Sequence, residues 1–171
     1  MAQRNTANMH KFINLMKGLY KSMEREWDEY AQRYGMTNAH LHVLWILSFN
    51  DGLKLSDLAS KGVWNLSTTH DIVTRMASKG LITKEKDMED GRVTRVYITK
   101  EGQMLRDKTQ ADLDNGYRFK LLKVIDELDK EDRKKLNDIM HLIIKQVLDS
   151  DFVNYVESST EMLNTKEDCA E

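Results

Sequence analysis

Residues 55–99 decide the fold, and they read LSDLASKGVWNLSTTHDIVTRMASKGLITKEKDMEDGRVTRVYIT. Ser56 is placed to cap one short helix, and Ser67 is placed to cap a second helix that ends at Gly80. A break at Gly62 separates the two helices. Two helices joined this tightly predict a helix-turn-helix.

The second of these helices has an apolar face and a polar face. The three-and-four spacing of a buried stripe is followed by Thr69, Ile72, Val73 and Met76. The opposite side carries His70, Asp71, Thr74, Arg75 and Ser78. We therefore expect one face to pack on the protein and the other to be free to contact a ligand.

Two short β-prone runs follow, at residues 81–87 and 93–99, and the charged segment MEDGR lies between them. This pattern predicts a hairpin with a charged tip, and Leu53 and Lys54 are placed to add a short third strand beside it. A helix-turn-helix followed by a hairpin is typical of a winged helix. In that fold the second helix enters the major groove of DNA, and the hairpin tip reaches the adjacent minor groove or the backbone.

Several motifs together resemble one family. They are LSDLA at 55–59, STT at 67–69, KGLI at 79–82, DGR at 90–92 and ITKEG at 98–102. In this order they resemble the MarR family of bacterial transcription regulators, and the DGR before ITKEG is the most specific part. Further motifs are similar to the Hpr branch of that family, whose members regulate protease production and sporulation: LYKSMEREW at 19–27, HVLWI at 42–46 and DFVNYVESS at 151–159.

The resemblance implies a mainly α fold with a small β-hairpin wing, in one MarR-type domain that spans residues 1–171. Residues 37–100 would form the winged DNA-binding region, and residues 7–36 and 101–165 would form dimerisation helices. The function implied is that of a homodimeric repressor of extracellular protease and sporulation genes, bound to near-palindromic operators in double-stranded DNA.

The candidate DNA-binding residues lie on the second helix and on the hairpin. They are Ser67, Thr68, Thr69, His70, Asp71, Thr74, Arg75, Lys84, Lys86, Asp90, Arg92 and Arg95. Threonine hydroxyls suit phosphate, and Arg75 suits guanine or phosphate. Asp71 either accepts from cytosine or pairs with Arg75 one turn on.

The hairpin tip allows two interpretations. The residues alone are also compatible with a tight turn that carries solvated charges. The resemblance implies that Arg92 enters the minor groove and that Asp90 braces it. Arg95, Lys84 and Lys86 are at a reach suitable for the DNA backbone.

The flanking segments predict further helices. A helical stripe runs from about Ala7 to Tyr34, and Thr37 or Asn38 can cap a central helix that is apolar on nearly every side. Beyond the hairpin, the expected helix starts are Thr99 and Asp129, and a short helix is expected after Ser150. The first helix and the one that follows Asp129 carry more apolar surface than one core needs, which predicts a symmetric dimer interface built from both chain ends.

Composition excludes several classes of protein. The 171 residues contain no proline and a single cysteine, Cys169, so no disulfide framework or thiolate metal cluster is expected, and Cys169 is expected to be an exposed thiol. His40 and His42 lack metal-ligand spacing, and no catalytic constellation or cofactor motif is present, so we expect no metal, no cofactor and no enzyme. No apolar run approaches a membrane span, so we expect a cytoplasmic protein that is nucleoid-associated when bound to DNA.

Two alternatives remain open at this stage. One is a ligand-responsive MarR-type repressor of other genes, with a small-molecule effector between the winged region and the dimer helices. Trp45, Trp64 and Tyr20 are placed either to line such a pocket or to belong to the core. The other is a winged-helix protein-interaction module that does not bind DNA.

Overall fold

The structure is a computed structural model that describes residues 6–168, with side chains through Thr165. The helices are α1 (Thr6–Gln32), α2 (Asn38–Phe49), α3 (Leu55–Gly62), α4 (Leu66–Ser78), α5 (Lys100–Asp114), α6 (Lys120–Asp126), α7 (Lys130–Val147) and α8 (Ser150–Asp168). The strands are β1 (Leu53–Lys54), β2 (Ile82–Lys86) and β3 (Thr94–Ile98). The fold is mainly helical with one small sheet, so the predicted fold class is confirmed.

Helix α2 lies at the centre of the core. The Thr37 hydroxyl accepts a hydrogen bond from the His40 amide, and the His40 ring Nδ1 accepts one from the Thr37 amide, both at 3.3 Å. This reciprocal capping satisfies two amides that a helix start would otherwise leave unpaired. The buried side chains of α2 are His40, Leu41, Val43, Leu44, Ile46 and Leu47. The predicted cap and the central position of this helix are confirmed.

The two predicted serine caps, Ser56 and Ser67, are wrong. Helix α3 begins after Lys54, whose side chain makes no capping hydrogen bond. Helix α4 begins after Asn65, whose side-chain oxygen accepts from the Thr68 amide at 2.8 Å and from the Ser67 hydroxyl at 2.7 Å. Asparagine caps a helix as well as serine does, and because Asn65 precedes Ser67 in the chain, the serine is drawn into the first turn.

The turn between α3 and α4 is tightly packed. Val63 adopts a left-handed conformation with φ of 55°, and the Trp64 amide donates to the Ala59 carbonyl at 3.0 Å. The Trp64 ring lies against Gly62, where an added Cβ atom would be 2.2 Å from the ring. The break predicted at Gly62 therefore comes directly after it, and the two helices form the predicted helix-turn-helix.

The three strands form an antiparallel sheet in the order β1-β3-β2. Leu53 pairs with Val96, and Ile82 pairs with Ile98, so the third strand predicted beside the hairpin is present. Val96 is fully buried and Ile82 is 2% exposed, which fixes one face of the hairpin on the helices. Residues 87–93 extend beyond the paired strands as the wing loop.

The two caps predicted after the hairpin are confirmed. The Thr99 hydroxyl accepts from the Gly102 amide at 3.1 Å at the start of α5. The Asp129 carboxylate accepts from the Asp132 amide at 2.8 Å at the start of α7. Both helices therefore begin where a side chain can satisfy a free amide.

Helix α8 is longer than the short helix expected, with 19 residues. Its side chains Val153 and Tyr155 are buried, and the Lys61 Nζ of α3 lies 5.4 Å from the centre of the Tyr155 ring. These residues pack the first turns of α8 on the first helix of the helix-turn-helix. Cys169 lies outside the described residues.

Helices α1 and α7 expose apolar side chains. The buried residues of α1 are confined to its last two turns, and α7 has no buried residue. The exposed apolar side chains are Met9, Phe12, Ile13, Leu15, Met16, Leu19, Tyr20 and Met23 on α1, and Ile139, Met140, Leu142, Ile143 and Val147 on α7. None of the helices in the described part of the chain combines the length and the apolar character needed to cross a membrane.

Gly102 lies where the first turn of α5 approaches the residue before β2. A Cβ atom added there would be 2.1 Å from the Leu81 carbonyl oxygen, which also accepts from the Thr99 amide at 3.1 Å. The Cβ atom would be attached to the backbone of α5 and would meet the backbone of Leu81, so neither side can move aside as a flexible side chain can. We therefore expect Gly102→Ala to lower the free energy of unfolding by about 2 kcal/mol. Gly18→Ala is the matched control, since that position in α1 has no atom within 4 Å and the change should be neutral or stabilising. Urea unfolding of the two variants should separate them, and equal midpoints would contradict the packing argument.

Candidate nucleic-acid interface

Helix α4 presents one face to the core and one face to solvent. Thr69 and Met76 are fully buried, Val73 is 1% exposed and Ile72 is 9% exposed. The solvent-exposed side chains are Ser67, Thr68, His70, Asp71, Thr74, Arg75 and Ser78. The two-faced helix predicted from the spacing of apolar residues is confirmed.

Thr69 is a correction to the predicted site. Its spacing already assigned it to the buried stripe, and in the structure its hydroxyl donates to the Asn65 carbonyl at 3.0 Å. Since the residue is fully buried, neither its hydroxyl nor its methyl group is available to DNA. Thr69 belongs to the packing of α4.

The exposed face of α4 carries solvent-accessible polar side chains and is joined to the hairpin by one side-chain hydrogen bond. The Nδ1 atom of His70 lies 3.8 Å from Asp71 Oδ1, and the two side chains are 64% and 74% exposed. The ion pair that the sequence also allowed, between Asp71 and Arg75, is not formed in the described part of the chain. The Lys84 Nζ donates to the Thr74 hydroxyl at 3.2 Å, which brings a cation of β2 onto the α4 face.

A cleft separates this face from the hairpin. It has a volume of about 250 Å³ and is lined by His70, Lys84 and Lys86 together with residues of α3 and β3. Three of the predicted side chains from two different elements are therefore brought to one concave surface. The two lysines and the imidazole share this cleft with Glu85, so its lining carries charges of both signs.

The wing loop is ordered by two aspartates. Asp87 Oδ1 accepts from the amides of Glu89 and Asp90, at 3.0 and 3.1 Å. Asp90 Oδ1 in turn accepts from the Arg92 amide at 3.0 Å. Asp90 therefore contacts Arg92 through the main chain, and the Arg92 side chain is exposed at the tip.

The guanidinium of Arg95 is partly exposed and is paired with other groups of the protein. Its Nε donates to Asp87 Oδ2, and a second guanidinium nitrogen donates to the Gly52 carbonyl at 2.9 Å. The hydrogen bond from Arg95, followed by those from the Asp90 and Glu89 amides, lowers the pKa of Asp87 to about 2. Asp87 was not among the predicted residues. In the strand register of the hairpin, Arg95 lies opposite Glu85. The hairpin pattern in the sequence would therefore have indicated Glu85, and not Asp87, as its acidic partner.

The aromatic residues considered for an effector pocket lie in three different surroundings. Trp64 lines a cavity of about 230 Å³ between α3 and the α7–α8 junction, with Phe152 also in its wall. The rings of Trp45 and Phe49 are 6.1 Å apart in α2, and Tyr20 is exposed on α1. For the described residues, no group of three or more His, Cys, Asp or Glu side chains is arranged to hold a metal ion.

The capped, two-faced α4 and the hairpin packed beside it define a winged helix-turn-helix. A family model described as MarR family matches residues 36–94, which include α2, the helix-turn-helix and the wing loop. Over this segment, which is about a third of its length, the chain is similar to the MarR family.

The sequence relatives are Hpr-type regulators. The chain is 35% identical over 96 residues to the HTH-type transcriptional regulator Hpr of Halalkalibacterium halodurans, covering 56% of this chain and 50% of that protein. It is 32% identical over 92 residues to the DNA-binding transcriptional repressor ScoC of Bacillus subtilis, covering 54% and 45%. The chain thus spans about half the length of these two relatives. A weaker likeness, 24% over 166 residues, extends over 88% of this chain and 82% of the Hpr regulator of Bacillus cytotoxicus.

Solved structures show the same fold. The S. aureus MepR–DNA complex superposes with a TM-score of 0.70 at 18% identity, covering 80% of this chain and 97% of that one. The MarR family transcription regulator SP03579 gives a TM-score of 0.69 at 16% identity, covering 83% and 91%. The superposition extends over about four fifths of the chain, so it includes helices outside the winged region.

The Asp87–Arg95 ion pair predicts how the Asp87 carboxylate titrates at low pH. A depressed pKa means that the carboxylate stabilises the folded state above the unfolded pKa of about 3.9, and that this contribution is lost as the pH falls towards 2. NMR titration of the Asp87 side-chain carbonyl carbon should give a midpoint near 2, and Arg95→Met should move it up towards the unperturbed value. A midpoint unaffected by Arg95→Met would show that the pair is not formed in solution.

Proposed function

We propose that this chain is a sequence-specific DNA-binding transcription regulator that acts as a homodimer. The observation that carries the proposal is the exposed polar face of α4, which is backed by the core and flanked on one side by the lysines of β2 and the Arg92 tip. The names of the relatives support it, because they are transcription regulators and one is a DNA-binding repressor. The MepR neighbour was solved in complex with DNA.

Each exposed group has a role that its chemistry suits. Ser67 and Thr68 lie in the first turn of α4, where their exposed hydroxyl groups would contact phosphate. His70, Thr74 and Arg75 would face base edges in the major groove, with Asp71 as an acceptor beside them. The remaining contacts would be made by Lys84 and Lys86 to the backbone and by Arg92 to the minor groove.

The distribution of charge favours DNA as the partner of this region. Between Lys54 and Lys100 there are nine Lys or Arg and six Asp or Glu, a surplus of three positive charges. From Asp149 to the end there are one Lys and seven Asp or Glu, a surplus of six negative charges. The surplus on one winged region is small, so the two regions of a dimer are needed to reach an affinity dominated by phosphate contacts.

The dimer is proposed to form through the exposed apolar faces of α1 and α7. Eight large apolar side chains are exposed on α1 and five on α7, more than a soluble monomer ordinarily leaves in contiguous faces. Both helices come from the dimerisation regions predicted at residues 7–36 and 101–165. A two-fold arrangement would cover both faces and place the two α4 helices on half-sites about one helical turn apart.

The target genes are proposed from the likeness to the Hpr branch. They would be genes for extracellular proteases and for sporulation, and the protein would mostly repress them. Recovery of bound genomic fragments from cells would test this directly, and fragments without any such genes would reject the assignment while leaving the DNA-binding proposal intact.

Arg92→Ala is expected to weaken binding to every duplex, because a minor-groove arginine contributes charge rather than base discrimination. The slope of log affinity against log salt should fall by about one. Gel shifts on random duplex at rising salt would measure it, with Arg118→Ala as the matched control because that exposed arginine lies between α5 and α6. Absence of binding by the parent chain at any salt would overturn the function and favour the interaction module.

Phe12→Glu combined with Met16→Glu is expected to convert the dimer to a monomer. The two side chains are 56% and 41% exposed and lie one turn apart on α1, so they would place two carboxylates in the apolar interface. Sedimentation equilibrium gives the mass directly. Met88→Glu is the control, since Met88 is fully exposed on the wing loop and should leave the mass unchanged. A parent chain of monomer mass would reject the dimer.

A further inference from the structure

The base of the wing is held by one connected set of hydrogen bonds. The Arg95 guanidinium donates to Asp87 and, at 2.9 Å, to the Gly52 carbonyl. Asp87 also accepts the amides of Glu89 and Asp90 in the wing loop. The turn before β1, which is 43 positions away from Arg95, therefore meets strand β3 and the wing loop at one ion pair.

The Gly52 end of this set is itself fixed. Gly52 has a φ of 73°, and a Cβ atom there would be 2.7 Å from the Tyr97 ring. The neighbouring Asp51 carboxylate accepts from the Ile98 amide at 2.8 Å. The carbonyl that receives Arg95 thus belongs to a turn already attached to β3, so the guanidinium has a rigid acceptor.

In the wing loop, the same set of hydrogen bonds extends from Asp87 to Arg92. Asp90 accepts from the Arg92 amide at 3.0 Å, and its own carbonyl accepts from the Val93 amide at 2.9 Å. The loop closes where the Asp87 amide donates to the Val93 carbonyl at 3.0 Å. The main chain of Arg92 is therefore connected to the sheet through Asp90 and Asp87.

We propose that Asp87 and Arg95 form an internal clamp that positions Arg92 for DNA, and that Arg95 itself makes no contact with DNA. The inference rests on the proposed function and deepens it. A loop of seven residues loses backbone and side-chain freedom when its tip binds, and a loop already ordered in the free protein loses less. Asp87 and Arg95 are positioning residues, since they act through Arg92.

The direction in which Asp87→Asn changes the affinity for DNA distinguishes a positioning role of Asp87 from a purely electrostatic one. Removing a negative charge beside DNA should strengthen binding if charge alone matters. Loss of the clamp should instead weaken binding, by about three- to tenfold and by no more than Arg92→Ala does. Glu89→Gln is the matched control, because it removes the same charge from an exposed side chain of the same loop.

The test is a double-mutant cycle on a random duplex at low salt, with the full chain. We expect Asp87→Asn to weaken binding, Glu89→Gln to leave it equal or stronger, and Asp87→Asn with Arg92→Ala to bind as Arg92→Ala does. Additive losses, or an Asp87→Asn variant that binds as tightly as Glu89→Gln, would overturn the clamp. If the parent chain binds no duplex, the proposed function fails as well. If Arg92→Ala weakens binding and Asp87→Asn does not, only the clamp fails.

Hydrogen exchange tests the clamp without DNA. In Asp87→Asn and Arg95→Met, amides 88–93 should exchange faster than in the parent, while those of α4 should be unchanged. Exchange at the parent rate in both variants would overturn the inference. Arg95→Lys should be intermediate, because an ammonium keeps the charge and lacks the planar group that reaches Asp87 and Gly52 together.

Discussion

Burial of one face of α4 determines which of its side chains the protein presents. Ile72, Val73 and Met76 are at most 9% exposed, and each buried side chain of this size contributes about 1.5–3 kcal/mol relative to exposure. A rotation of α4 by one residue would bring Arg75 or Asp71 into the core, where an unpaired charge costs several kcal/mol. The orientation of the polar face therefore follows from packing and needs no DNA to establish it.

The position of the wing follows from the same core. Strand β3 lies between β1 and β2, so the hairpin is tied through β1 to the chain that enters α3. Val96 is fully buried in this central strand, and Lys84 of the outer strand donates to Thr74 of α4 at 3.2 Å. Helix α4 and the hairpin are thus connected both through the core and through a hydrogen bond at the surface.

Local chemistry was sufficient to predict three of the five helix caps from the sequence. Thr37, Thr99 and Asp129 were predicted as helix caps because each has a hydroxyl or carboxylate at the start of an apolar pattern, and all three are confirmed. The prediction for Ser67 was wrong because Asn65 supplies the same acceptor two positions earlier. The prediction for Ser56 was wrong because α3 already begins at Leu55, and the Ser56 hydroxyl donates to the Asp57 carboxylate.

Features that depend on three-dimensional neighbours were beyond the sequence. Arg95 has an acidic residue opposite it in the hairpin register, yet its guanidinium binds Asp87 in the loop and the Gly52 carbonyl, 43 positions away. Nothing in the linear pattern indicates that a carbonyl from the turn before β1 lies within reach. The DNA contacts and the dimer stay predictions for the same reason, since each depends on a partner that is not encoded in the spacing of residues.

The junction between α1 and the core connects the proposed dimer to the DNA-binding surface. The buried Tyr30 hydroxyl donates to the Thr109 carbonyl of α5 at 2.6 Å, and its ring lies 5.6 Å from that of Phe119. Immediately after α1, the Gly35 carbonyl accepts from Lys79 Nζ at 2.9 Å, at the C-terminus of α4. The last turns of α1 are therefore fixed to α5, and the turn that follows α1 is fixed to the C-terminus of α4. In the proposed homodimer, these two hydrogen bonds would couple the angle at which two α1 helices pack to the separation of the two α4 helices.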